Sequence, residues 1–224
     1  MKGLSTKAQK IFDKISKLDC IKEYTLIGGT ALSLQIHNRL SEDLDFCKWK
    51  KYKKDKPEVN WPKIEKQLKT IGKVKTDVKD LNDVVFEVEG VKISFYANHL
   101  YNEPKNMIKT PFHNELEIAD IDSIGQMKVE VMLRRNKFRD YYDIYSILKE
   151  NRKLEDLIKG ASSYCGHKFK TKNMEAILTS SQKFEKEKEF NLLEPKYDVS
   201  AKDIEDYILK HIREEKIRKG IIEE

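Results

Sequence analysis

The chain has 224 residues, of which 39% are hydrophobic and 37% charged, and its formal net charge is +6. This size fits one domain, or a small domain with a helical appendix. No run reaches the roughly 18 apolar residues of a membrane span, and the first residues lack the apolar core of a signal peptide, so no membrane association is expected. Three widely spaced cysteines (Cys20, Cys47 and Cys165) disfavour a zinc site or a disulfide framework and favour a cytoplasmic protein.

The first third of the chain predicts a helix, a strand, a second helix and a second strand. Ser5 is a candidate N-cap for a helix whose apolar residues recur at helical spacing: Ala8, Ile11, Phe12, Ile15 and Leu18. The short β-prone run Tyr24–Ile27 ends at Gly28-Gly29, and a helix is expected to start at Thr30. Asp43–Phe46 (DLDF) alternates polar and apolar residues, as a half-buried strand does.

The middle of the chain predicts a basic loop, a helix and a hairpin. Residues 47–61 (CKWKKYKKDKPEVNW) are expected to form a loop outside the sheet, and residues 62–72 a helix. The runs VVFEVEG and VKISFYA flank Glu89-Gly90 and predict a two-residue β-hairpin. In that register Val85 lies opposite Ser94 and Glu87 lies opposite Lys92.

After Pro111 the pattern becomes helical. One helix is expected from Asp120 onward, and NKFRDYYDIYSILKENRKL continues it either as a bent extension or as a second helix. Ser200 and Asp203 have the spacing of a capping box at the start of a final helix. Strands first and helices after predict an α+β fold, with a small mixed sheet in residues 1–115 and a helical C-terminal region in residues 116–224.

Two short motifs carry the chemistry. Gly28-Gly29 before a helix favours an anion such as phosphate at the free N–H groups, although an ordinary strand-to-helix turn has the same sequence. Asp43 and Asp45 are two residues apart, so a strand places both carboxylates on one face. Such a pair repels itself unless a cation such as Mg²⁺ lies between, or it is a solvated edge paired with Lys or Arg.

The combination is more specific than either motif. Strand, Gly-Gly, helix and D-x-D resemble the nucleotidyltransferase core of the DNA polymerase β superfamily. The string GGTAL…RLSEDLDF is similar to the AbiEii/AbiGii-type toxin family within it. MKVEVMLRRNKFRDYYDIY (Met127–Tyr145) resembles that family's later Lys…Arg…Asp segment.

The resemblance implies a role for each matching residue. It places Gly28, Gly29 and Thr30 around a triphosphate, with Arg39 and Ser41 as further phosphate contacts. It assigns the catalytic metals, Mg²⁺ or Mn²⁺, to Asp43 and Asp45, a place near the nucleotide to Lys128, and the later aspartate to Asp140 or Asp143. Each residue also has an ordinary interpretation, such as an Arg39–Glu42 ion pair or exposed helix charges at the last three positions.

One position departs from the superfamily pattern. Many members carry a third carboxylate on the strand that matches VKISFYA, where this chain has Ser94. Glu87 is a candidate substitute, although a cross-strand ion pair with Lys92 is the simpler expectation.

The resemblance implies transfer of a nucleoside monophosphate from an NTP to a tRNA 3′ end, by the toxin of a toxin–antitoxin or phage-defence pair. A cognate antitoxin protein is then an expected partner. The lysines and rings of the basic loop fit an RNA, or else a flexible solvated loop. Two alternatives remain: nucleotidylation of a protein partner, or a catalytically dead nucleotide- or RNA-binding module, which Ser94 favours.

Overall fold

A computed structural model describes residues 1–52, 54–165 and 170–223. These residues form two compact units, Met1–Asp120 and Ile121–Glu224, called the N-terminal and C-terminal units below. No helix in the described ranges is long and apolar enough to span a membrane. Lys53, one residue of the basic loop, lies outside the described residues.

The N-terminal unit is built on one sheet, with strands in the order β3-β4-β5-β2-β1-β7-β6. β1 pairs with β7 and β2 pairs with β5 in parallel, and the other neighbours are antiparallel, so the sheet is mixed. The strands are β1 (Thr25–Ile27), β2 (Leu44–Lys50), β3 (Val74–Val78), β4 (Asp83–Val88), β5 (Val91–Asn102), β6 (Lys109–His113) and β7 (Leu116–Ala119). Three helices accompany them: α1 (Thr6–Ile15), α2 (Gly28–Ile36) and α3 (Trp61–Leu68).

Aromatic side chains fill the core of this unit. The rings of Phe46 and Phe95 stack with centroids 5.0 Å apart, and Tyr24 and Phe86 meet Phe95 edge-on at 5.0 and 5.8 Å. Because side chains alternate between the faces of a strand, the burial of Phe46 on one face places Asp45 on the other. The apolar alternation of β2 therefore decides which face carries the carboxylate.

The hairpin register is confirmed, since Val85 pairs with Ser94 and Glu87 pairs with Lys92 across β4 and β5. The opening helix is also confirmed, with Ser5 as its N-cap. The helix after the glycine turn starts two residues earlier than expected, at Gly28.

Two predictions about the sheet are wrong. Residues 47–50 are not loop, because β2 continues to Lys50 beside β5. In this stretch Cys47 and Trp49 are buried between half-exposed lysines, and the lysine content conceals the alternation. The chain after Pro111 is not helical as far as Ala119, because β6 and β7 pair there. β7 is held by parallel pairing with the distant β1, which local sequence does not reveal.

The C-terminal unit is helical, as expected. Its helices are α4 (Ile121–Val131), α5 (Phe138–Lys149), α6 (Leu154–Cys165), α7 (Thr171–Leu178) and α8 (Ala201–Arg218). Aromatic pairs hold α5 in place, with Tyr141 stacked on Phe184 at 4.3 Å and Phe138 edge-on to Phe190 at 4.8 Å. The capping box is confirmed, because Ser200 Oγ accepts from the Asp203 amide and Asp203 accepts from the Ser200 amide. The α+β class with a mixed sheet is thus confirmed, and α4 and α5 are two helices rather than one bent helix.

Phe95→Ala tests the aromatic core. Because Phe95 is fully buried among three rings, its truncation should destabilise the N-terminal unit by about 3–5 kcal/mol. Both tryptophans of the chain, Trp49 and Trp61, lie in this unit, so urea unfolding followed by tryptophan fluorescence reports on it. Phe112→Ala on the edge strand β6 is the control, and an equal loss from both variants would contradict the assignment of Phe95 to the core.

Candidate active site

A glycine turn joins β1 to α2. Gly28 has φ +71°, in the left-handed region, where a side chain is strained. Ile27 occupies the N-cap position without a capping side chain, so the first N–H groups of α2 have no such partner. This helix end can receive an anion.

The two aspartates flank the start of β2. Asp45 pairs with Ile27 of β1, the residue immediately before the glycine turn. A Cβ placed on Gly28 would lie 3.0 Å from Asp45 Oδ2, so the carboxylate lies directly over the turn. The backbone carbonyl of Asp43 accepts a short hydrogen bond from Thr30 Oγ1 in the first turn of α2. Asp45 therefore lies against the N-terminus of α2 with its carboxylate, and Asp43 is held there by its backbone.

Arg39 and Ser41 lie behind the same turn, and both are buried. A Cβ on Gly29 would come within 2.6 Å of Arg39 Nη2 and 3.5 Å of Ser41 Oγ, so the absence of a side chain at Gly29 makes room for both groups. Thr30 Oγ1 lies 2.8 Å from Ser41 Oγ.

The backbone of Ser41 is held by the N-terminal segment. Its amide donates to the Gly3 carbonyl and its carbonyl accepts from the Ser5 amide, and both hydrogen bonds are 2.9 Å long. The structure thus brings Gly28, Gly29, Thr30, Arg39, Ser41, Asp43 and Asp45 together within the N-terminal unit.

Ser94 occupies the register position of a third carboxylate, because it pairs directly with Asp45 across β2 and β5. Its side chain is fully buried, and its Oγ has no hydrogen-bond partner among the described residues. The prediction of a Glu87–Lys92 ion pair is wrong. Glu87 faces Lys75 on its other side and binds it at 3.2 Å, because β3 completes the sheet there.

The carboxylate pair suits a hard divalent cation. Nowhere in the described ranges do three or more His, Cys, Asp or Glu side chains gather in a way that could hold a metal ion. Mg²⁺ does not need such a cage, since it commonly binds through one or two carboxylates plus water and substrate phosphates. Asp43 and Asp45, half-buried beside a helix N-terminus, provide that set.

A second cluster of predicted residues lies within the C-terminal unit. Lys128 Nζ in α4 is 2.8 Å from Asp140 Oδ1 and 2.7 Å from Asp143 Oδ2 in α5. Both aspartates are fully buried and Lys128 is 6% exposed. Exposed helix charges are therefore the wrong interpretation for all three residues.

Arg135 completes this cluster. Its Nε lies 2.8 Å and its Nη2 3.2 Å from the two oxygens of Asp140. Burial raises the pKa of Asp140, but the Lys128 and Arg135 cations outweigh burial and hold the pKa well below its usual range. The two cations keep a buried carboxylate ionised.

A helix N-terminus can hold phosphates and a carboxylate pair can hold divalent ions, which are two requirements of nucleotide transfer. The protein is a nucleotidyltransferase. It belongs to the nucleotidyl transferase AbiEii toxin family of type IV toxin–antitoxin systems, whose family model matches residues 11–215. The resemblance seen in the glycine and aspartate motifs is thereby confirmed.

One further protein sequence and two solved structures are also similar to this chain. An uncharacterised protein of Aquifex aeolicus (strain VF5) is 23% identical over 96% of this chain and 98% of its own length. The nucleotidyltransferase toxin MenT4 of Mycobacterium tuberculosis H37Rv has a similar fold, with a TM-score of 0.53 and 12% identity over 92% of this chain and 88% of that one. JHP933 of Helicobacter pylori aligns with a TM-score of 0.48 and 19% identity over 97% of both chains.

Lys128→Met tests the buried cluster. Removing the ammonium leaves two buried carboxylates with one partner fewer, which should destabilise the C-terminal unit by about 3–5 kcal/mol. Hydrogen exchange of the α4 and α5 amides measures this loss. Arg139→Met, one residue before Asp140, is the matched control and should change exchange little. Equal protection in both variants would refute a structural role for Lys128.

The low pKa of Asp140 predicts an acid dependence. Its folded pKa lies below the unfolded value of about 3.9, so its contribution to stability is present above pH 4 and is lost as the pH falls further. Asp140→Asn should therefore flatten the decline in C-terminal-unit stability below about pH 4. Asp156→Asn, at an exposed position of α6, is the control. The same slope for wild type and Asp140→Asn would rule out this contribution.

Proposed function

We propose that the protein transfers a nucleoside monophosphate from an NTP at the glycine turn of the N-terminal unit. The observation that carries this proposal is the contact of Asp45 with the turn, where Oδ2 lies 3.0 Å from the position of a Cβ on Gly28. A phosphate seated on the α2 N-terminus would thus lie beside a carboxylate, and a cation is needed between the two negative groups.

The triphosphate is held by groups around this turn. The N–H groups of Gly28, Gly29 and Thr30 face the anion at the helix N-terminus. The buried Arg39 guanidinium behind Gly29 supplies positive charge, and Ser41 supplies a hydroxyl. Arginine suits this place because its planar group binds phosphate oxygens in pairs.

Asp43 and Asp45 would hold the catalytic Mg²⁺ or Mn²⁺. A bound ion would neutralise phosphate charge and stabilise the attacking and leaving oxygens. The acceptor hydroxyl attacks the α-phosphorus in line, an O–P bond forms, and the bond to pyrophosphate breaks. The protein's own part is to orient the phosphates and the acceptor.

Lys128 has a nucleotide-contacting role in this proposal, with Asp140 and Asp143 as its positioning residues. The support is the resemblance of Met127–Tyr145 to the family's later Lys…Arg…Asp segment; within the C-terminal unit two buried carboxylates fix the ammonium in one place. A fixed charge stabilises a developing charge without reorganisation. Arg135 holds Asp140 from the other side.

The proposed acceptor is a tRNA 3′ end, and the proposed partner is a cognate antitoxin, as expected for a type IV toxin–antitoxin family. The cytoplasm, where both are found, suits three cysteines that are free.

The acceptor is tested with purified protein, labelled NTPs, Mg²⁺ and total tRNA. Label on protein instead of tRNA, seen as an added nucleotide mass, would identify the alternative of protein nucleotidylation.

Ser94 favours one further alternative, a binding module without catalysis, because a serine beside Asp45 adds no charged metal ligand. Absence of label transfer from every NTP to either tRNA or protein would support it.

Asp43→Asn and Asp45→Asn test the metal-binding pair. Each change keeps the shape of the side chain and removes its charge, so transfer should fall at least about 1,000-fold, or about 4 kcal/mol of transition-state stabilisation. Glu42→Gln is the matched control, since it neutralises an exposed carboxylate between Ser41 and Asp43 and should leave the rate within about twofold. Growth inhibition on expression is a second readout. Undiminished transfer by both aspartate variants would exclude metal catalysis at this pair.

A further inference from the structure

A large open cleft lies at the opposite end of β1 and β2 from the glycine turn. It encloses about 1330 Å³ and lies entirely within the N-terminal unit. Thr25 and Cys47 pair across β1 and β2 in its wall, two residues along from the Ile27–Asp45 pair. Because the strands have a two-residue period, Cys47 lies on the same sheet face as Asp45.

The cleft is lined by more cations than anions. Six lysines line it: Lys22, Lys48, Lys50, Lys51, Lys56 and Lys109. Four carboxylates line it as well: Glu23, Asp55, Glu103 and Glu117. The excess is two positive charges, and the lysines come from β2, β6, the loop after β2 and the segment before β1.

The carboxylates leave part of this charge available. Glu23 binds Lys48 at 3.4 Å and Glu103 binds Lys109 at 2.7 Å. Asp55 is engaged by backbone, since its Oδ2 accepts from the amides of Lys51 and Tyr52 at 2.9 and 2.8 Å.

The side chains of Lys51 and Lys56 are exposed and form no ion pair with any residue in the described ranges. The Tyr52 ring, next to Lys51, is 73% exposed. The loop therefore presents two uncompensated lysines and a solvent-facing ring, the combination that binds a nucleic-acid strand through phosphates and base stacking.

We propose that this cleft binds the phosphodiester backbone of the RNA acceptor, upstream of the end that reacts. The inference rests on the proposed function, since it adds a second contact for the same acceptor.

Lys50 is five strand residues from Asp45, or about 17 Å at about 3.3 Å per residue. At roughly 3.4 Å of axial rise per nucleotide of a stacked strand, this span places the lysines about five nucleotides before the reacting end of the acceptor.

The double variant Lys51→Glu/Lys56→Glu tests the cleft, because it disturbs no ion pair among the described residues. Lys7→Glu/Lys10→Glu on the exposed face of α1 makes the same change in net charge and is the matched control. Binding of a fluorescein-labelled tRNA transcript ending in CCA is measured by anisotropy without NTP, so no transfer is needed. We expect at least tenfold weaker binding by the cleft variant, with a salt dependence shallower by about 1.5 logarithmic units per decade. The control should stay within about twofold of wild type.

Transfer assays give an independent readout. With full-length tRNA the cleft variant should show a raised KM and an unchanged kcat. With a tetranucleotide acceptor, too short to reach the cleft, it should match wild type. Equal loss with the tetranucleotide would place the two lysines at the reaction centre and overturn the proposal.

The binding and transfer assays have further outcomes that would support or overturn the assignment of the cleft. No RNA binding by wild type, or equal binding by cleft variant and control, would overturn the cleft assignment. Competition by poly-glutamate as strong as by RNA of equal charge would identify an acidic protein segment as the occupant instead. Lysine-dependent RNA binding with no transfer by wild type would leave the cleft standing and refute the proposed transfer reaction.

Discussion

The register of β1 against β2 is the constraint on which the proposed active site depends. Asp45 lies opposite Ile27, and the glycine turn begins one residue later. A slip of one residue would send Asp45 to the aromatic face and bring Phe46 to the site, because side chains alternate. The burial of Phe46 against Phe95 opposes that slip. The packing of the hydrophobic core thus fixes the strand register, and the register fixes the position of the Asp45 carboxylate.

The two glycines of the turn are required by this register for different reasons. At Gly28 the backbone is left-handed, which strains a side chain, and a Cβ would lie in tight contact, 3.0 Å from Asp45 Oδ2. At Gly29 the backbone is ordinary, and a Cβ would come within 2.6 Å of Arg39 Nη2, so the guanidinium would have to shift. Gly28 is therefore needed for the backbone conformation of the turn, and Gly29 for the close approach of the Arg39 guanidinium.

Local sequence predicted the elements that depend on local patterns. A motif of a few consecutive residues was enough to predict the hairpin at Glu89-Gly90, the capping box at Ser200 and the strand DLDF. The strands β3, β6 and β7 could not be predicted in this way, because β3 and β6 carry few apolar residues and β7 is short and held by parallel pairing with the distant β1. The burial of Lys128 was likewise not visible, since its partners lie 12 and 15 residues ahead on a separate helix.

Ser94 limits how the proposed reaction disposes of its proton. The acceptor hydroxyl must lose a proton as it attacks the phosphorus, and a neutral serine is no base at ordinary pH. Glu87 lies one strand away, exposed and bound to Lys75. Within the described part of the N-terminal unit, the Asp45 carboxylate lies at the glycine turn, and Asp43 is held there through its backbone carbonyl. Ser94 therefore leaves the β5 register position without a proton acceptor, and in the proposed reaction the proton passes to a carboxylate elsewhere or to water.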